Sequence, residues 1–259
     1  MKDMVRTFPN IRICLLVGIG GGAPNKNNDI RLGDIVVSTS GNGIPSVVQY
    51  DFGKEIQDES FKQTGTLDGP PRVVRTAIAG LKKEYKINRH RISETIDEIL
   101  AKRPHLKKEF QRPETNSDRL YRADVVHPRG KEGDCASICD SHPDLMFERD
   151  ERTEYDANPA IHYGPIASAN QLMKNALRRD ELVKEKGFLC FEMEAAGLMN
   201  LFPCLVVRGI CNYADTHANK RWQGYAALTA AAYSKDLLRK IPPLKVEKAE
   251  KLADVIHLR

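Results

Sequence analysis

What the 259-residue chain lacks narrows its class. No apolar run approaches the roughly 18 residues that a membrane-spanning helix needs; the longest are Ile13–Ile19 and Cys204–Val207. No large excess of one charge is present: 40 Lys and Arg stand against 35 Asp and Glu, a net charge of +5, which a mixed solvated surface accounts for. A local excess over residues 101–130, eight Lys or Arg against four Asp or Glu, attracts anionic small molecules, and nucleic acid is not an expected partner. Residues 1–12 mix Lys2, Asp3, Arg6 and Pro9 without an apolar core, so no secretory signal is read there and a cytoplasmic, intracellular protein with reduced thiols is expected. Cysteine is sparse, six residues, and Cys14, Cys190 and Cys204 lie in apolar strand-like runs where Cys behaves as a small hydrophobe. No disulfide is expected. At 41% hydrophobic and 29% charged, the composition is that of an ordinary globular domain with a large core, and no internal repeat interrupts it.

The apolar, β-branched run Ile11–Val17 predicts a strand covered on both faces, ended by Gly18, Gly20, Gly21 and Gly22. Further strands are predicted at Asp34–Ser38, after a Leu-Gly-Asp turn, and at Ser46–Tyr50. Val73, Val74, Ala77, Ile78 and Leu81 repeat at helical spacing, and a second helix opens at Ser93 and ends before Pro104. Residues 112–159 are polar and aperiodic, an irregular insertion. Alternation then resumes: strands at Ile161–Ala167, Phe188–Phe191 and Cys204–Ile210, helices at Asn170–Lys186, Glu194–Leu201 and Tyr225–Lys240. That order predicts an α/β domain over residues 1–243 with a largely parallel sheet between helices, followed by a charged tail at 244–259.

Three clusters carry candidate chemistry. The glycines after the first strand let a ligand approach the backbone closely, although Ala23-Pro24-Asn25 departs from the dinucleotide fingerprint and a tight turn explains them equally. Glu192-Met193-Glu194 follows a predicted strand and opens a helix. A carboxylate there suits a ribose diol, because it accepts two hydroxyls at once, and it also complements a helix dipole with no further role. Arg208–Asp215 follows the next strand. Asn212 offers both donor and acceptor to a heteroaromatic edge, and Asp215 suits a turn cap. Ligands bind outside the carboxyl ends of strands in open α/β sheets, so the last two clusters are expected to converge on one pocket.

Val-Gly-Ile-Gly-Gly-Gly (17–22), Leu-Gly-Asp-Ile-Val-Val-Ser (32–38), Ile-Ala-Ser-Ala-Asn (166–170), Cys-Phe-Glu-Met-Glu-Ala-Ala-Gly (190–197) and Arg-Gly-Ile-Cys-Asn-Tyr-Ala-Asp (208–215) together resemble the purine and uridine phosphorylase superfamily. The resemblance is strongest to the nucleoside-phosphorylase-like domain at the head of fungal receptor-like proteins, and it runs from Ile11 to Ile241. It implies a three-layer α/β/α fold with a mixed central sheet, cleavage of an N-glycosidic bond of a purine nucleoside or nucleotide by phosphate or water, and a homo-oligomer. It places Gly20 and Gly21 beside base and sugar, Leu172 and Met173 on the base, and Met193 and Glu194 on the ribose. Asn212 falls where purine-cleaving members carry an acid that protonates N7.

Three departures shape the expectation. Asn212 has no proton to give, which lowers turnover if general-acid catalysis is lost, on the order of 10²–10⁴-fold. Leu16 and Ile19 occupy phosphate-binding positions, and apolar side chains cannot pair a dianion, so water is favoured over phosphate. The superfamily's amino-terminal strands, and the Glu that activates water in its hydrolases, have no counterpart ahead of Ile11, so the sheet is expected to lack those strands. The alternative is a catalytically weak relative acting as a ligand-binding or oligomerising sensor domain. His127, Cys135, Cys139 and His142 carry zinc-type donors, but their spacing is irregular, and no metal or other cofactor is expected. His217, Lys220, Arg221 and Trp222 are expected to form an exposed basic turn, with a nucleotide phosphate as an alternative occupant.

Overall fold

The computed structural model describes residues 2–41, 43–54, 56–58, 62–63, 67, 69–130, 135–139, 143–199, 202–217 and 219–257. Among them, strands form at β1 (Cys14–Gly22), β2 (Ile35–Ser38), β3 (Val47–Gln49), β4 (Gly53–Lys54), β5 (Lys62–Gln63), β6 (Ile161–Gly164), β7 (Ile166–Ser168), β8 (Cys190–Glu192) and β9 (Cys204–Asn212). Helices are α1 (Lys2–Thr7), α2 (Arg72–Asn88), α3 (Ile92–Lys102), α4 (Lys107–Phe110), α5 (Cys135–Ile138), α6 (Ala176–Lys186), α7 (Ala195–Met199), α8 (Trp222–Lys240), α9 (Pro243–Glu247) and α10 (Leu252–His257).

Seven strands join one sheet in the order β3-β7-β8-β1-β9-β2-β6, while β4 and β5 pair separately. Four of its six pairings are parallel and two, β1 with β8 and β2 with β9, are antiparallel. The sheet is thus mixed, as the resemblance implies, and largely parallel in its pairings, as the alternation predicts. The single strand expected at Ile161–Ala167 divides at Pro165, which has no N–H to give to a ladder. Its two halves sit at almost opposite ends of the strand order although one residue separates them, so the sheet must curl until its edges approach.

The centre is the parallel pair β1–β9. Leu205, Val206 and Val207 are fully buried, each worth roughly 1.5–3 kcal/mol for leaving water. Ala226, Ala230, Tyr233 and Leu237 of α8 recur at helical spacing and pack on it in one apolar core, with Val74, Ile78 and Leu81 of α2 and Ile92, Ile96 and Leu100 of α3. Gly209 is required at this contact, because a side chain there would overlap the Ala226 carbonyl. A second core joins Leu182 and Val183 of α6 to Ala167, Phe188 and Phe191, completing the α/β/α arrangement.

Five expectations change. β1 does not end at Val17 but runs through Gly22, so the glycines are strand rather than loop. Val17 is partly exposed, so β1 is not fully covered on both faces. Cys14 and Cys204 are directly paired across β1 and β9 and joined as a disulfide; hydrophobic context alone gave no sign that they were neighbours. The helix expected from Asn170 starts at Ala176, where the Asn175 side chain accepts from the Arg178 N–H at 3.1 Å, leaving Leu172 and Met173 on a loop. Within 112–159 the described regular structure is α5 and two 3-10 turns. In the expected solvated tail, Leu252 is buried in the main core and its N–H donates to the Ile11 carbonyl at 2.8 Å. No described helix is long and apolar enough to cross a membrane.

Candidate active site

Two rows of residues cross β1. In the first, Arg208 of β9 pairs with Gly18 in register, and its side chain lies over the Gly18 and Gly20 positions, where a Cβ would meet it. The guanidinium is almost fully buried and binds two carboxylates, Glu192 directly and Glu194 at 2.8 Å. Glu192 is fully buried and also accepts from the N–H groups of Glu194 and Ala195 at 3.1–3.2 Å. It is therefore the residue that caps α7 and neutralises Arg208. Glu194 is 59% exposed; one oxygen is fixed by Arg208, and the other has no hydrogen bond to a described residue. A buried cation that aims an exposed carboxylate leaves that carboxylate ready to accept hydroxyls.

The second row joins Asn212, Gly21 and Phe191. The register shifts between Gly20 and Gly21, where β9 contributes an extra residue, and such a bulge re-aims the side chain that follows it. Asn212 Oδ1 accepts the Ala214 N–H at 2.8 Å, and Ala214 adopts a positive φ of 53°. A Cβ on Gly21 would lie 2.7 Å from that oxygen, so glycine is required for the approach. With the oxygen occupied, the amide offers its Nδ2 donors, one of which lies 3.4 Å from Cys211 Sγ. Burial pushes the Cys211 thiol up to about 11, so it stays a neutral, weak partner. The two rows are three residues apart on β1, about 10 Å at strand rise.

Asn212 also lines a cavity of about 220 Å³ with Leu32, Tyr121, Cys135 and His217. That is below the roughly 300 Å³ of pockets that enclose whole small ligands, so it admits part of one. Leu172, Met173, Met193 and Glu194 are not among its lining residues. Leu172 is exposed and Met193 is 40% exposed, while Met173 packs on the second core beside Phe191 and Ala214. Leu172 and Met193 follow β7 and β8, which are adjacent and parallel with Ser168 opposite Glu192. The expected convergence of two strand ends does not occur as stated: β8 runs antiparallel to β1 while β9 runs parallel to it, so their carboxyl ends point in opposite directions. What brings the two clusters together is their shared neighbour β1.

Other expectations settle simply. Asp215 accepts the His217 N–H at 2.9 Å, the turn-capping role. Lys220 and Arg221 are exposed, but His217 and Trp222 are buried, so the basic turn is only half as exposed as expected. His127, Cys135 and Cys139 bring their donor atoms within 4.8 Å of one another; His142 lies outside the described residues.

Sequence reasoning placed Glu192 and Arg208 in candidate clusters without separating Glu192 from Glu194 or pairing it with Arg208, although the Glu-x-Glu spacing and a lone Arg within an apolar strand were the available signals. It also missed the anchor of the insertion. Asp34, in the Leu-Gly-Asp turn, is buried and receives both terminal nitrogens of Arg152 at 2.5 and 2.6 Å, His162 Nε2 at 3.1 Å, and the N–H groups of Arg31 and Ala160 at 2.8 Å. Burial alone would raise its pKa, but hydrogen bonds from Arg152 and His162 outweigh it and hold the carboxyl below its usual value. Nearer the site, the Tyr213 hydroxyl binds Asp118 and accepts from Arg149 at 2.9 Å, tying the insertion to the residue next to Asn212.

No protein-family model matches the chain. Among solved structures, it resembles the 5′-methylthioadenosine/S-adenosylhomocysteine nucleosidase of Helicobacter pylori, crystallised with butyl-thio-DADMe-Immucillin-A, and the futalosine hydrolase of the same organism. Both give a TM-score of 0.50 at 16% identity over 92% of this chain and 72% of theirs. The fold is that of the nucleoside phosphorylase superfamily. In sequence, the chain is 44% identical over 242 residues, 93% of its length, to a nucleotide-binding leucine-rich repeat (NLR)-like protein of the fungus Hyaloscypha variabilis. It spans 23% of that relative.

Proposed function

We propose that this domain binds a purine nucleoside or nucleotide along the glycine strip of β1 and cleaves its N-glycosidic bond with water. The observation that carries the reading is Glu194, an exposed carboxylate aimed by the buried Arg208, whose partner Gly18 lies three residues, about 10 Å, along β1 from Gly21, the partner of Asn212. That span suits the ribose hydroxyls at one end and the N7 side of a purine at the other. The fold shared with a nucleosidase and a hydrolase supports the substrate class.

In this arrangement the ribose hydroxyls donate to Glu194, and bonds that tighten as the sugar becomes an oxocarbenium ion lower the barrier. Met193, Leu172 and Met173 wall the ligand, and Gly20 and Gly21 give it the backbone surface on which it lies. Asn212, its oxygen held by Ala214, donates through Nδ2 to N7 and stabilises the departing base without protonating it. Leu16 and Ile19 pack against the main apolar core, where neither can pair a phosphate dianion, so water is the nucleophile.

A second reading, a ligand-binding or self-associating sensor with little turnover, is favoured by one observation: the N7 position holds an amide with no titratable proton. Nucleobase release measured by chromatography from purine and pyrimidine nucleosides and ATP, with and without phosphate, separates the two. Phosphate-independent release that Glu194→Ala abolishes supports the glycosidase. Calorimetric binding that Glu194→Ala weakens, without release, supports the sensor. Release that requires phosphate contradicts the role given to water, and a monomer by light scattering at micromolar concentration contradicts self-association.

A further inference from the structure

The insertion at 112–159 has its own small core, distinct from the two that hold the sheet: Tyr121, Cys135 and Cys139 are buried together with Val125, Ile138 and Met146 against them. So small a core adds little apolar burial to the ion pairs that fasten the insertion, and small cores gain from a disulfide or a metal. Two of the three are cysteines. His127 Nδ1 lies 3.4 Å from Cys135 Sγ and 3.3 Å from Cys139 Sγ. Tetrahedral zinc, with Zn–N near 2.0–2.1 Å and Zn–S near 2.3 Å, sets its nitrogen and sulfur ligands about 3.6 Å apart, so the three donors already stand close to that spacing.

A second observation points to the same place. His217 is buried, stacks on Tyr121 at 3.9 Å, and its ring centre is 6.0 Å from that of His127. Its Nε2 has no hydrogen-bond partner among the described residues, and its Nδ1 faces only Asp215 Oδ2, at 3.7 Å, beyond hydrogen-bond distance; a buried polar atom left so is costly, and a water bound to a neighbouring ion offers it a partner.

We propose that His127, Cys135 and Cys139 bind one Zn²⁺ ion that staples the insertion beside the cavity lined by Asn212. Two thiolates and an imidazole select a borderline-soft divalent ion over magnesium or calcium. Binding releases the two thiol protons to solvent and leaves every oxidation state unchanged. The irregular Cys-x3-Cys spacing set a metal aside in the sequence; the four-residue helix α5, one turn long, brings both sulfurs to one side. The inference is independent of the glycosidase reading, since a structural ion serves a sensor equally well.

The test is metal content. Wild-type chain expressed with zinc in the medium and analysed by mass spectrometry should hold about one zinc per chain, and Cys135→Ser/Cys139→Ser should lose it. Metal-stripped wild-type chain titrated with Co²⁺ should develop a thiolate-to-cobalt charge-transfer band and intense tetrahedral visible bands, a readout that needs no variant to fold. Zinc should also slow protease cleavage within 112–159. Wild-type chain without zinc and without the cobalt spectrum overturns the proposal, and so does a double variant that keeps its zinc.

Discussion

The β1–β9 pair and the 112–159 insertion lie against each other yet are held by opposite means. The first is a mainly apolar interface: six of the nine residues of β9 are buried apolar side chains, with the ion-paired Arg208 the charged exception. The second is fastened by charge: Arg152 on Asp34, Arg149 on Asp118 at 3.1 Å, and Asp118 on the Tyr213 hydroxyl. Apolar burial is additive and tolerant, whereas a buried ion pair depends on each partner, because removing one leaves the other desolvated and unpaired. The difference matters for the site, since Glu194 is aimed by the sheet through Arg208 while Asn212 lies where sheet and insertion meet. Under the proposed function, substrate contacts at the ribose end depend on the core, and those at the base end on the insertion as well.

That contrast can be broken from either side. Phe202→Ala, in the main core, should cost about 3–5 kcal/mol in denaturant unfolding, lowering the midpoint of the entire domain. Arg208→Met should cost a comparable 3–5 kcal/mol by leaving Glu192 buried without its cation, and should also weaken nucleoside binding, because Glu194 loses its anchor. Arg152→Ala should cost less, about 1–3 kcal/mol, because His162 and two backbone N–H groups still serve Asp34; limited proteolysis should cut the insertion first. Lys220→Ala should change stability by under about 0.5 kcal/mol, and thermal unfolding checks it.

Acid sharpens the same comparison. The folded pKa of Asp34 is held below its unfolded value near 3.9. Its contribution is thus fully present above that value and is lost as pH falls through the lower folded value. Stability measured from pH 5 to pH 2 should decline in the wild type and more shallowly in Asp34→Asn, which begins less stable. Equal slopes would remove Asp34 from the account.

Periodicity and β-branching located β1, β2 and β3 and α2, α3 and α8, because those residues face a core and alternate accordingly, but not the short pair β4 and β5. The five motifs carried the fold class, and Glu194 and Asn212 were marked by their places in them. Illegible were features that depend on which strands become neighbours. The Cys14–Cys204 pairing, the reversal of β8 and the bulge that turns Asn212 are set by register across 190 residues of chain, and local pattern does not encode register. The Asp34–Arg152 anchor joins a turn to the insertion 118 residues later, where an isolated Arg in polar sequence looks like any surface charge.

The central claim is that Asn212 stands at the base end of a nucleoside site as a hydrogen-bond donor in place of an acid. Single-turnover nucleobase release by wild type and Asn212→Asp tests it most directly. The account predicts phosphate-independent release that rises in the Asp variant, on the order of 10²–10⁴-fold if proton donation is what the amide lacks, with the gain fading as pH rises above the carboxyl's pKa. An Asp variant no faster than wild type, on a purine that both demonstrably bind, would contradict it.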